Sequence, residues 1–133
     1  MVTATCRVLV VDDEETILFA MQDYLAPQGY QVDTVRNAET AYALLTERTY
    51  SIAVVDLSLG PGQDRLGLEL VRRLSDQYPA TAIILFTAYA TPEIDCEARR
   101  RGVVLLEKPL PLPALQTVID RLASPKAPAS ADD

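Results

Sequence analysis

Four apolar runs in this sequence each lead to a residue that can do chemistry. "CRVLVV" (6–11) ends on Asp12 and Asp13, "SIAVV" (51–55) on Asp56, and "TAIILFT" (81–87) on Thr87, while "VVLLE" (103–107) is followed by Lys108 and Pro109. Three carboxylates brought within a few ångströms raise one another's pKa unless a cation sits among them. One lysine offsets part of that repulsion. A hard divalent cation with oxygen ligands offsets more, and a small, partly hydrated site suits Mg²⁺. With charge neutralised in this way, Asp56 can approach an anionic phosphoryl group, and carboxylate nucleophiles that form aspartyl phosphates are an established class. Such a transfer needs mainly positioning and charge neutralisation. Thr87 would bond one phosphoryl oxygen and Lys108 would pair with another.

Each of these residues also has a bland reading. An acid at a strand end is usually a solvated cap, "DDEE" (12–15) suits a helix N-terminus, Thr87 could simply open a loop, and the lysine of a Lys-Pro pair is generally solvated. Their joint arrival depends on the elements that carry them. The strands read at 6–11, 30–35, 51–55, 81–87 and 103–107 alternate with helices read at 15–26, 38–48, 67–78, 92–101 and 112–123. Pro27 and Gly29 close the first helix, Asn37 caps the second, Pro79 ends the third, and Gly102 closes the fourth. The order is βαβαβαβαβα. Strands one, three, four and five are near-continuous apolar runs, the pattern of strands buried on both faces. Right-handed crossovers then give an α/β fold with a doubly wound five-stranded parallel sheet. In such sheets ligands sit beyond the C-terminal strand ends, where all five candidate residues arrive.

The 133 residues suit a single domain, and nearly half of them are apolar, as a packed core requires. The tail at 124–133, rich in Pro, Ala and Ser, reads as a disordered end or linker stub after a domain spanning 1–123. A formal net charge of −7 disfavours nucleic-acid or anionic-membrane binding. There is no histidine, which removes Ser-His triads, the usual zinc sites and any phosphohistidine donor role. Cys6 and Cys96 read as buried or half-buried free thiols. The N-terminal apolar run is too short and too soon acidic for a signal peptide or membrane span, which leaves a reducing cytoplasm as the expected compartment.

The pieces "VLVVDDEE" (8–15), "AVVDLSL" (53–59), "GLELVRRL" (67–74), "IILFTAYAT" (83–91) and "EKPL" (107–110) together resemble a response-regulator receiver domain of two-component signalling, over essentially 6–123. The resemblance implies the flavodoxin-like (βα)5 fold, strand order 2-1-3-4-5. It also implies a phosphorylation-dependent switch, not an enzyme beyond phosphoryl self-transfer and slow autodephosphorylation. The donor would be a sensor histidine kinase or histidine phosphotransfer protein. By position Asp56 is the phosphoacceptor, Asp13 a direct Mg²⁺ ligand and Asp12 a ligand through water. The Ser58 carbonyl completes the metal site, and Thr87 and Lys108 contact the phosphoryl group. The bond before Pro109 is often cis in the family. Helix four, strand five and helix five would face an output partner or a second copy, and Arg99, Arg100 and Arg101 lie there as a solvated face or a docking patch. Side chains two beyond the phosphoacceptor and two beyond the threonine tune the acyl phosphate's lifetime. Those are Ser58 and Tyr89, with Tyr89 expected to shield the site.

Two positions depart from the family's pattern. Leu105 stands where a switching Tyr or Phe is common, and "GLE" (67–69) arrives three residues late, lengthening the loop from Leu57 to Leu66. Other readings fit less well. A haloacid-dehalogenase-type phosphatase expects a second Asp where Ser58 stands. A nucleotide-binding module would want a glycine-rich first loop rather than "DDEET". A non-phosphorylated docking receiver typically lacks some of the acids or the lysine retained here. No DNA-binding segment follows residue 123, so the expected output is protein contact, by a stand-alone receiver or one cut from a longer chain.

Overall fold

The computed structural model describes residues 6–57, 59 and 64–123. Expectations concerning Ser58, the segment 60–63 and the tail 124–133 lie outside the described residues.

Five strands, β1 (Arg7–Val11), β2 (Gln31–Val35), β3 (Ile52–Val55), β4 (Ala82–Thr87) and β5 (Val104–Glu107), form one parallel sheet in the order β2-β1-β3-β4-β5. The connecting helices are α1 (Glu15–Leu25), α2 (Ala38–Glu47), α3 (Asp64–Gln77) and α4 (Pro92–Arg101), and α5 (Leu112–Ala123) ends the described fold. Alternation along the strands separates two cores. Leu9, Val11, Ala53, Val55, Ile83 and Leu85 pack against α2, α3 and α4. Val8, Val10, Ile52, Val54, Ile84 and Phe86 pack against α1 and α5. Burial on both faces explains why the central strands are apolar throughout.

The helix ends follow their local chemistry. Asn37 accepts the Thr40 N–H at 2.8 Å, and Thr91 accepts the Ile94 N–H at 3.2 Å with Pro92 in the first turn. Gly102 takes the left-handed φ of +73° that lets α4 stop and the chain turn into β5. A short 3₁₀ turn at Ala26–Gln28 contains Pro27 and passes to Gly29 at φ +104°.

Three expectations need correction. The third helix does not open at Gly67 but a turn earlier, at Asp64. Part of the extra sequence before "GLE" is therefore taken up as helix, where intrahelical bonds satisfy backbone groups that a loop would leave to solvent. Second, β5 is only half-buried, because the strand order makes it an edge with a neighbour on one side alone. Third, Cys96 is exposed, while Cys6 is half-buried as expected. The inward stripe of α4 is Ile94, Glu97, Ala98 and Arg101, at helical spacing, and Cys96 falls off it.

That stripe carries an ion cluster joining α4 to α3. Arg72 of α3 donates to both Glu97 oxygens, at 2.6 and 2.9 Å, in the bidentate arrangement suited to a guanidinium. Arg101 donates to the same Glu97 at 2.9 Å and to Asp76 at 3.1 Å. Arg99 pairs with Asp95 at 3.3 Å. Two of the three consecutive arginines are thus paired with acids of the fold itself, Arg99 at an exposed position and Arg101 at a half-buried one.

The Arg72 bond, aided by Arg101 and opposed by burial, draws the Glu97 carboxyl down to about 2. A folded pKa below the unfolded one adds stability that is complete above the usual carboxylate range and is lost as pH falls towards 2. Glu97→Gln should therefore lower unfolding free energy by about 1–2 kcal/mol at pH 7, discounted because Arg72 is half-exposed. Urea melts should show the difference from the parent narrowing from pH 4.5 downwards.

Candidate phosphoryl-transfer site

The register sets the site. Val11, Val55 and Leu85 lie level across β1, β3 and β4, so Asp12 and Asp56 emerge side by side. Thr87 stands one step higher than Asp56 on the next strand, and opposite Glu107, the residue before Lys108. The ladder continues past the strands: the Asp56 N–H donates to the Val11 carbonyl at 2.9 Å, and the Asp12 N–H to Val35 at 3.1 Å. Both carboxylates therefore leave a backbone that is already fixed. Asp12 and Asp56 are 3% and 8% exposed, and Thr87 is fully buried.

Lys108 comes from the turn after β5. Its N–H donates to the Thr87 carbonyl at 2.9 Å, and the following bond to Pro109 is cis, as the resemblance implies. Its ammonium donates to Asp12 Oδ2 at 2.8 Å and to Asp56 Oδ2 at 3.2 Å. The ammonium also lies 5.4 Å from the centre of the Phe86 ring, a cation–π contact. Burial works against the charged ammonium, but the bond to Asp12 and the charges of Asp12 and Asp56 outweigh it. Lys108 is held above the ordinary lysine value. The second oxygen of Asp12 accepts the Glu14 N–H at 2.9 Å, so its orientation is set from both sides.

Asp13 joins the cluster from a half-buried position. One carboxylate oxygen from each of Asp12, Asp13 and Asp56 lies within 4.8 Å of the others. Asp12, Asp13 and Asp56 are the residues that would hold such an ion, with waters supplying its other ligands. The all-oxygen donor set and its excess negative charge fit a hard divalent cation. Asp12, Asp13, Asp56, Thr87 and Lys108 are brought to one sheet edge. Thr87 Oγ1 accepts the Tyr89 N–H at 3.1 Å, and the Tyr89 side chain itself is 69% exposed.

One positioning residue escaped the sequence reading. A Cβ built on Gly67 would sit 2.1 Å from the Asp56 carbonyl oxygen and 2.2 Å from that of Leu57. Helix α3 thus lies directly on the backbone that carries Asp56, and only glycine fits the contact. A glycine inside an otherwise amphipathic helix was the available signal, because its helix penalty implies a packing reason.

A family model described as the response regulator receiver domain matches residues 8–120. The chain belongs to this family. Its members are the receivers of two-component response regulators. The response regulator protein FleR of Pseudomonas aeruginosa is 31% identical over 128 residues, which cover 96% of this chain and 26% of FleR. The chain spans about a quarter of the length of the curated relatives it matches. A response regulator receiver domain protein (CheY-like) from Methanospirillum hungatei superposes with a TM-score of 0.79 at 26% identity, covering 90% of this chain and 94% of that one. A response regulator protein from Burkholderia pseudomallei, whose crystal structure has a phosphorylated aspartic acid, a calcium ion and citrate, gives a TM-score of 0.75 at 28% identity, covering 84% of this chain and 65% of that one. The five-stranded parallel sheet in the order β2-β1-β3-β4-β5 is the fold shared with these receivers. Among the described residues no helix is long and apolar enough to cross a membrane.

Two substitutions test the local balance. Lys108→Met leaves the carboxylates without their ammonium and should cost about 2 kcal/mol in urea unfolding with chelator present. The loss should shrink in millimolar Mg²⁺, which a purely packing role for Lys108 would not produce. Gly67→Ala should cost about 3 kcal/mol or more, because the clash is with backbone that cannot swing away.

Proposed function

We propose that this receiver is a phosphorylation-driven switch in which Asp56 accepts a phosphoryl group from the phosphohistidine of a partner. The observation that carries the reading is the bridge from the Lys108 ammonium to Asp12 and Asp56 at the ends of β1 and β3. It sets an ammonium 3.2 Å from the buried Asp56 carboxylate, where the positive charge favours the anionic form that a phosphoryl-group nucleophile needs. An Asp56 oxygen attacks phosphorus, the P–N bond breaks, and the imidazole leaves with its electron pair and takes a proton. Mg²⁺, bound by Asp12, Asp13, Asp56 and the Ser58 carbonyl, would neutralise charge on the phosphoryl oxygens. Lys108 pairs with one phosphoryl oxygen and the Thr87 hydroxyl donates to another.

The chain has no histidine of its own, so the donor is a separate sensor histidine kinase or histidine phosphotransfer protein. The chain's own chemistry is limited to accepting the group and slowly hydrolysing it. The face made by α4, β5 and α5 reads the change out to a partner protein or a second copy, and the receiver occupies residues 1–123. The phosphorylated aspartic acid and calcium ion of the similar Burkholderia pseudomallei regulator support the same pairing of acyl phosphate and hard cation here.

The test is intact-mass measurement after incubation with Mg²⁺ and acetyl phosphate. The parent should gain one phosphoryl group, and Asp56→Asn should gain none. An adduct that persists in the variant would sink the assignment to Asp56, as would an unmodified parent that demonstrably binds Mg²⁺.

A further inference from the structure

Tyr89 is one of two large apolar side chains left mostly exposed among the described residues, the other being Phe19 on α1. Its backbone is tied down although its ring is not. The Tyr89 N–H donates to the hydroxyl of Thr87, a fully buried residue at the end of β4. Immediately beyond it, Ala90, Thr91, Pro92, Asp95, Leu105 and Glu107 line a groove of about 460 Å³ between α4 and the edge strand β5. The groove exists because β5 has no outer neighbour and because Leu105, half-buried, is too short to fill it. Its lining matches a phenol: Ala90, Pro92 and Leu105 offer apolar surface for a ring, and the carboxylates of Asp95 and Glu107 are acceptors for an O–H.

The fold also says which part can move. The C-terminal half of α4 is fastened to α3 through Glu97, Arg72, Arg101 and Asp76. The residues between Thr87 and the Thr91 cap precede that anchored half, and the Tyr89–Thr87 bond ties them to the strand.

We propose that Tyr89 is the aromatic switch of this receiver, turning from solvent into the groove between α4 and β5 when Asp56 is phosphorylated. The inference rests on the phosphoacceptor reading above. As the Thr87 side chain turns about its Cα–Cβ bond to bring Oγ1 to a phosphoryl oxygen, that oxygen moves away from the Tyr89 N–H and the loop at 88–91 is released. The ring then lies over Leu105 and Pro92, with its hydroxyl on Asp95 or Glu107. The same movement fills a groove on the face that a partner would read, so the two states differ there in shape as well as in charge.

The experiment uses the full chain labelled with 3-fluorotyrosine, the Tyr89 resonance being assigned by its absence in Tyr89→Phe. Fluorine NMR with a soluble gadolinium chelate reports how accessible that ring is before and after acetyl phosphate and Mg²⁺, and intact mass scores the adduct in the same sample. With the adduct present, relaxation enhancement at Tyr89 should fall about threefold, as expected when an exposed phenol enters a half-apolar groove. Leu105→Trp, which fills the groove, should leave Tyr89 accessible in the adduct. An adduct with unchanged Tyr89 accessibility overturns the switch and leaves the phosphoacceptor reading intact. Equal protection in Leu105→Trp overturns the groove as the destination. A parent that takes no adduct removes both readings together.

Discussion

Three carboxylates at one sheet edge repel one another, and the Lys108 ammonium between Asp12 and Asp56 is what makes that edge tenable. Much of the remaining structure can be understood as holding this contact. Asp12 and Asp56 are neighbours because β1 and β3 are paired in parallel with Val11 beside Val55. Lys108 reaches Asp56 from two strands away and Asp12 from three, with its N–H fixed to the Thr87 carbonyl at the end of β4. Were β5 to slip by two residues, its side chains would keep their faces, but at about 3.3 Å per residue the ammonium would miss both acids. The charge contact and the sheet register thus specify one another. The residual negative charge is the other half of the arrangement. One ammonium does not balance three carboxylates, and the excess negative charge left at this edge suits a hard divalent cation.

The two cores contribute unequally to this geometry. The α1 and α5 side supplies bulk apolar packing under Phe86, whose ring lies beneath the ammonium. The α3 side supplies precision, because Gly67 brings helical backbone against the carbonyls of Asp56 and Leu57. A helix seated by backbone contact transmits displacement with little slack, since neither surface has a side chain that can rotate to absorb it. α3 is in turn joined to α4 by the Glu97 cluster. A continuous line of rigid contacts therefore runs from the backbone of Asp56 through α3 to the C-terminal half of α4.

Most of this architecture was legible in the sequence because it rests on local signals that tertiary packing did not override. Apolar runs of four to six residues separated by capped amphipathic segments admit little besides a doubly wound sheet, and Asn37, Pro92 and Gly102 behave as their chemistry dictates. The strand-end residues converged because a parallel sheet delivers every C-terminus to the same edge. What the sequence did not convey is long-range. The apolar pattern of β5 looks like that of a central strand, and only the strand order reveals an edge. The start of α3 was misplaced because Gly67 resembles a helix boundary. Its real reason, close approach to the backbone carbonyls of Asp56 and Leu57, lies outside the helix. The run Arg99–Arg101 looked like a basic face because the acids that engage it are on two helices, Asp95 and Glu97 on α4 and Asp76 on α3.

Those internal pairings change how the α4 surface should be regarded. A helix carrying three consecutive arginines suggests recognition of acidic partners by charge. With Arg99 on Asp95 and Arg101 on Glu97 and Asp76, a partner seeking those guanidinium groups would have to displace existing bonds, the second of them half-buried. Exposed ion pairs are worth little and exchange readily, but those to a shared, buried carboxylate such as Glu97 do not. Under the proposed readout, a partner on this side would meet the shape of the α4–β5 groove more than free positive charge. In that groove Leu105 leaves space, and the loop from Thr87 supplies an aromatic side chain not otherwise packed in the fold. A surface whose shape is set by one ring in one of two places can discriminate partners without altering the helices that frame it. That suits a domain whose core must stay rigid to hold its acids together.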